Sequence, residues 1–159
     1  MSIVASLLVA ASVSAAPAEE ELKLEDLAWL IGTWEYKITA EEDTEQLKKG
    51  QTFRHRRTYS WTLNKEFIKA DVQWFVDDEV RFTWVGYFGV DGASGKVKTW
   101  NFTSRGTHGT GEWSRDRNGL LMQWVVTTKD GEKANRSIYF EKVDDTTIAS
   151  DDRQYKKVK

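Results

Sequence analysis

The sequence predicts an all-β fold, an antiparallel up-and-down meander closing into a barrel, with a short N-terminal helix capping one end. Three observations predict it. From residue 51 onward apolar and polar residues alternate at a period of two, the pattern of half-buried strands. Turn-forming groups such as Asn64-Lys65, Asp77-Asp78, Asp91-Gly92, Lys129-Asp130-Gly131 and Asp144-Asp145 punctuate that alternation at strand-length intervals. No helix-sized apolar pattern follows residue 50, so successive strands run antiparallel. About nine strands are counted, and closure removes their exposed edges; a barrel of roughly eight to ten strands can hold a small ligand.

In chain order, residues 3–13 form an apolar run too short to anchor in a bilayer. Val13-Ser14-Ala15 supplies the small residues of a signal-peptidase site, so residues 1–15 are expected to be a signal peptide cut before Ala16, although no Lys or Arg precedes the run. A secreted or periplasmic protein follows, with no integral membrane segment in the mature chain. Residues 16–22 are expected to be a disordered tail, and 23–159 the barrel domain. Leu24, Leu27, Ala28 and Ile31 recur at helical spacing, with Glu25 and Asp26 at the positive end of the helix dipole and Gly32 as its stop. The period then changes to two, placing Trp34, Tyr36 and Ile38 on one face of the first strand.

Glu41 to Gly50 is a charged connection with room for little more than one helical turn. The second strand, about 51–63, carries Phe53, His55, Arg57, Tyr59 and Trp61 on one face. Residues 66–76 and 79–88 make the clearest hairpin, with Trp74 on the first arm and Trp84 on the second. A strand over 96–104 carries Trp100 and Phe102, and the glycine-rich Ser104 to Gly111 reads as a bulge ahead of Trp113. Met122 and Trp124 mark the next strand, Arg136, Ile138 and Phe140 the one after, and a single strand near 146–157 ends the chain.

Gly32-Thr33-Trp34 resembles the Gly-x-Trp opening of the calycin group, the lipocalins, fatty-acid-binding proteins and relatives. Leu27 to Trp34, Gly86-x-x-Gly89-x-Asp91, Trp100-x-Phe102 and Gly109-x-Gly111-x-Trp113 look closer still to uncharacterised lipocalin-like domains of secreted bacterial proteins. The resemblance covers roughly residues 22–159 and implies the barrel, but no settled activity. Arg153-x-Tyr155 is similar to the pair that anchors carboxylates in fatty-acid-binding proteins. The group's other use of such an arginine is structural, and it implies that Arg153 packs over Trp34.

Composition narrows the functions. The net charge is −2 and both signs are mixed throughout, which disfavours nucleic acid as a partner. Cysteine is absent, which removes disulfides and thiolate chemistry. His55 and His108 are the only histidines, so no metal site is expected; the histidine near the C-terminus used by lipocalin-like haem barrels is missing, and no cofactor is expected. Seven of the eight tryptophans, at 34, 61, 74, 84, 100, 113 and 124, fall nearly one per strand, either as packing or as an aromatic-lined pocket.

The candidate ligand-binding residues are His55, Arg57, Tyr59, Trp61, Trp74, Trp84 and Arg136, because charged and polar groups here share faces with apolar ones. Buried charges need partners, and Asp71, Glu112 and Asp151 are candidates; the alternative partner is a ligand anion. The function expected is non-catalytic binding of a small, partly apolar or carboxylate-bearing molecule. The alternatives are an enzyme using His55 with a carboxylate, or a surface module presenting exposed tryptophans to glycan or envelope protein.

Overall fold

The structure is a computed structural model and describes residues 21–158. The expected signal peptide, and all of the expected tail but its last two residues, lie outside the described residues. A 3-10 helix, Leu24–Leu30, leads into ten strands: β1 Gly32–Thr39, β2 Thr52–Thr62, β3 Phe67–Val76, β4 Glu79–Val90, β5 Val97–Thr103, β6 His108–Asp116, β7 Gly119–Thr127, β8 Lys133–Asp144, β9 Thr147–Ser150 and β10 Arg153–Val158. Each strand pairs antiparallel with its neighbours in sequence, and β1 pairs with β10 to close the barrel.

The predicted meander is therefore observed, with one strand more than counted. The stretch expected to be a single final strand is two, because Asp151 enters the left-handed region (φ +52°) and reverses the chain between β9 and β10. The expected bulge over 104–111 is instead a tight turn at Gly106 followed by regular pairing of β5 with β6. Register shifts fall elsewhere, at Trp74/Phe75 and at Lys142/Asp144.

The helix plugs one end of the barrel, but with a period of three. Leu24, Leu27 and Leu30 are buried while Ala28 is exposed, as the three-residue turn of a 3-10 helix requires. The Asp26 carboxylate accepts from the Lys23 backbone N–H at 2.8 Å and from Arg115 at 2.7 Å, tying the helix start to β6. Leu22, expected in the tail, is buried in the same core. Gly32 (φ +131°) turns the chain directly from helix to strand. Trp34 then lies at the barrel floor, 1% exposed, its indole N–H donating to the Leu30 carbonyl at 2.6 Å. Helix and first strand are thus one packed unit, joined by burial and by a hydrogen bond four residues apart.

Arg153 does not cover Trp34. Pairing of β1 with β10 places Lys157 opposite Trp34, and the Lys157 ammonium sits 5.1 Å from that ring; Arg153, four residues earlier on β10, stacks over Tyr36 at 5.5 Å. The cation–π role survives with a different cation, at about 0.5–1 kcal/mol for an exposed lysine.

Candidate functional site

Alternation along ten strands aims one set of side chains into the barrel. At the helix end these are hydrocarbon: Phe88, Trp113, Leu120 and Phe140 meet Leu27 and Leu30 in one buried cluster. Farther from the helix the filling fails, and a cavity of about 310 Å³ remains. His55, Arg57, Tyr59, Trp74, Trp84 and Arg136 line it, together with Asn101, Met122 and Trp124 among others. Six of the seven residues singled out from the sequence are thereby brought together from β2, β3, β4 and β8. The seventh, Trp61, does not line the cavity. It lies two residues beyond Tyr59, and Tyr59 already pairs with Gly32 at the plugged end, so Trp61 packs half-buried against the core there.

The polar groups of β2 form a connected set. Arg57 is 6% exposed. Its Nη1 donates to Ser150 Oγ at 2.9 Å and its Nε faces His55 Nε2 at 3.5 Å. The guanidinium carbon lies 4.4 Å from the Tyr155 ring centre and 5.2 Å from that of Phe140. His55 Nδ1 meets the Tyr155 hydroxyl at 2.7 Å. Because Arg57 only donates, Nε2 is the accepting nitrogen and the proton of the neutral ring belongs on Nδ1, directed at Tyr155. Burial, reinforced by Arg57 and Arg153, pushes the His55 pKa down to about 2. Burial also raises the Tyr59 and Tyr155 hydroxyls, against the pull of Arg57, so neither becomes a phenolate at neutral pH.

The carboxylates expected to neutralise these groups are engaged elsewhere. Asp71 pairs with Lys69 at 3.0 Å, Glu112 with Lys96 at 2.9 Å, and Asp151 accepts from the Tyr139 backbone N–H at 3.0 Å. Among the described residues no aspartate or glutamate lines the cavity. Arg57 is therefore a buried cation whose partners are the Ser150 and Tyr59 hydroxyls, an imidazole and two rings. Two ring contacts of about 0.5–2 kcal/mol each offset part of a burial cost of several kcal/mol, and none supplies negative charge. Arg136, at the exposed rim, donates among the described residues only to the neighbouring Asn135 carbonyl.

Asn101 was not among the sequence candidates. The expected strand face was that of Trp100 and Phe102, but these point outward, Trp100 against Phe67 and Phe102 into solvent. The inward residues of β5 are Val97, Thr99 and Asn101. The glycines opposite Asn101 were the available signal. Asn101 pairs with Gly86 on one side and Gly109 on the other. A methyl group at Gly86 would collide with the Trp84 indole, and one at Gly109 would meet first the Val125 carbonyl oxygen at 2.6 Å and then Trp124 Cδ1 at 3.0 Å. The two glycines let two indoles lie against the wall on either side of the Asn101 amide.

Among the described residues no group of three histidines, aspartates or glutamates gathers as metal ligands, and no helix is long and apolar enough to cross a membrane. His108 is exposed.

No family model matches the chain, and no curated protein matches it. Among solved structures it is similar to a de novo designed fluorescence-activating β-barrel, at 12% identity, with 86% of this chain and 100% of that chain covered and a TM-score of 0.44.

Proposed function

We propose that this chain is a lipocalin-like binding barrel that takes up a small, partly apolar molecule and releases it unchanged. The observation supporting this is the cavity of about 310 Å³ at the unplugged end, walled by aromatic and aliphatic side chains with a few convergent polar groups. That make-up is the usual one for small-molecule sites. The enzyme alternative requires His55 beside a carboxylate, but both its nitrogens already face Arg57 and Tyr155. The surface alternative requires exposed tryptophans, and none of the eight is exposed.

Thermal melts and tryptophan emission across a panel of acyl and aromatic compounds test the reading. A ligand at about 100 times its Kd should stabilise the barrel by about 2.7 kcal/mol, several degrees in Tm. A panel that moves neither signal contradicts it. Residues 3–13 and Val13-Ser14-Ala15 support export to the periplasm or medium. A mature N-terminus at Ala16 in the exported fraction is the expected result, and a chain retained in the cytoplasm with Met1 intact contradicts export.

A further inference from the structure

We infer that the ligand is a planar aromatic anion, its negative group at Arg57 and its polar edge on the Asn101 amide between Trp84 and Trp124. The inference rests on the binding reading above and narrows it by charge, hydrogen bonding and shape.

Among the described residues the cavity lining contains two arginines and no carboxylate. Arg57 is held in place by Ser150, His55 and the Tyr155 ring, so the cation is fixed before any anion arrives. A fixed donor fork matched to a planar oxyanion is the arrangement that guanidinium groups serve best.

Among the described residues, the fully buried side-chain atoms of the cavity lining that lack a partner are both donors. Asn101 is 1% exposed and its Nδ2 has no partner; Trp74 Nε1 is likewise buried without one. Both are donors, and buried donors are ordinarily satisfied. A molecule carrying acceptors as well as a negative group would satisfy them.

Shape selects the rest. Asn101 lies in register between Gly86 and Gly109, with the Trp84 and Trp124 indoles over those glycines. A flat ring finds aromatic surface on both sides of one hydrogen-bonding amide. A saturated chain would bury the same amide without a partner for it.

Calorimetric titration of the full chain with 6-hydroxynaphthalene-2-carboxylate, 6-hydroxynaphthalene-2-carboxamide and decanoate tests the inference, the ring hydroxyl of the first two supplying the acceptor for the Asn101 amide. The first should bind at least about tenfold more tightly than either other compound, the margin of one charge-assisted contact. In Arg57→Met that margin over the carboxamide should vanish while carboxamide binding persists. In Asn101→Leu both aromatic compounds should weaken by about tenfold. Should Arg57→Met not fold, the comparison of carboxylate with carboxamide on the unmodified chain decides alone. A carboxamide that binds as well as the carboxylate, tighter binding of decanoate, or an Asn101→Leu variant with unchanged affinities overturns the inference and leaves the binding reading standing. Silence from all three compounds and from the wider panel overturns both.

Discussion

The two ends of this barrel are built from the same alternating strands and do opposite things with them. At the helix end the inward positions carry Phe88, Trp113, Leu120 and Phe140, whose rings and chains close on Leu27, Leu30 and Trp34. At the other end the same positions carry Arg57, Asn101 and Gly109, and space remains. Alternation makes the wall; side-chain volume and charge decide whether the wall is filled. Even the packed end has a buried donor without a partner among the described residues, Trp113 Nε1, whose ring lies against Phe88 at 4.9 Å and Phe140 at 5.3 Å.

The sharpest way to break this contrast is to empty the packed end. Trp34→Ala should cost about 3–5 kcal/mol by urea unfolding, because it leaves a cavity under the helix and removes the bond to Leu30. A cost below about 1 kcal/mol would mean that the helix is not a structural plug.

The open end should respond in the opposite sense. Arg57→Met replaces a buried cation lacking a carboxylate with hydrocarbon while leaving Ser150 Oγ and His55 Nε2 without that donor, and stability should hold or rise, by up to about 2 kcal/mol. A marked loss in urea unfolding would show that Arg57 is structural.

The next effect is on pH. His55 is neutral in the folded barrel down to about pH 2, whereas its unfolded value is 6.5, so between these the unfolded chain binds the additional proton. Stability from this group is complete above pH 6.5 and declines as pH falls, by about 1.4 kcal/mol per pH unit, or about 2 kcal/mol between pH 6.5 and 5. Unfolding measured at both pH values should show that decline, and His55→Gln should flatten it. An equal slope in the variant would mean that the buried imidazole is not its source.

The smallest effect separates neighbours on one strand face. Trp61→Phe should change affinity for any cavity ligand less than about threefold, since the ring lies at the packed end, whereas Trp84→Ala should weaken it by about tenfold or more. Equal losses in a binding titration would place the ligand deeper than the cavity described.

The wall itself was legible. Period-two alternation and aspartate- or glycine-based turns located nine strand segments, and Gly32-Thr33-Trp34 located the floor. The extra turn at Asp151 was hidden because it has no glycine and lies within a polar stretch. The cation over Trp34 was misplaced because it depends on the register of β1 against β10, two strands joined by no turn that would set it. Helical spacing proposed Ala28 for the buried face, and only the tighter 3-10 turn explains why Leu30 takes that role.

Within the site, His55, Arg57 and Tyr59 stood out as polar residues on an apolar strand face. Asn101 did not, because Trp100 and Phe102 make the outer face of β5 the more hydrophobic one. Its importance comes from glycines on two flanking strands, which is a property of pairing and not of local sequence.

The most direct test of the two-ended account follows the indole N–H signals of the eight tryptophans by NMR while 6-hydroxynaphthalene-2-carboxylate, or whichever panel compound binds, is added. The account predicts that Trp74, Trp84 and Trp124 shift together on one binding curve while Trp34 and Trp113 stay in place. Shifts centred on Trp34 and Trp113, or on the outward Trp100 alone, would contradict it.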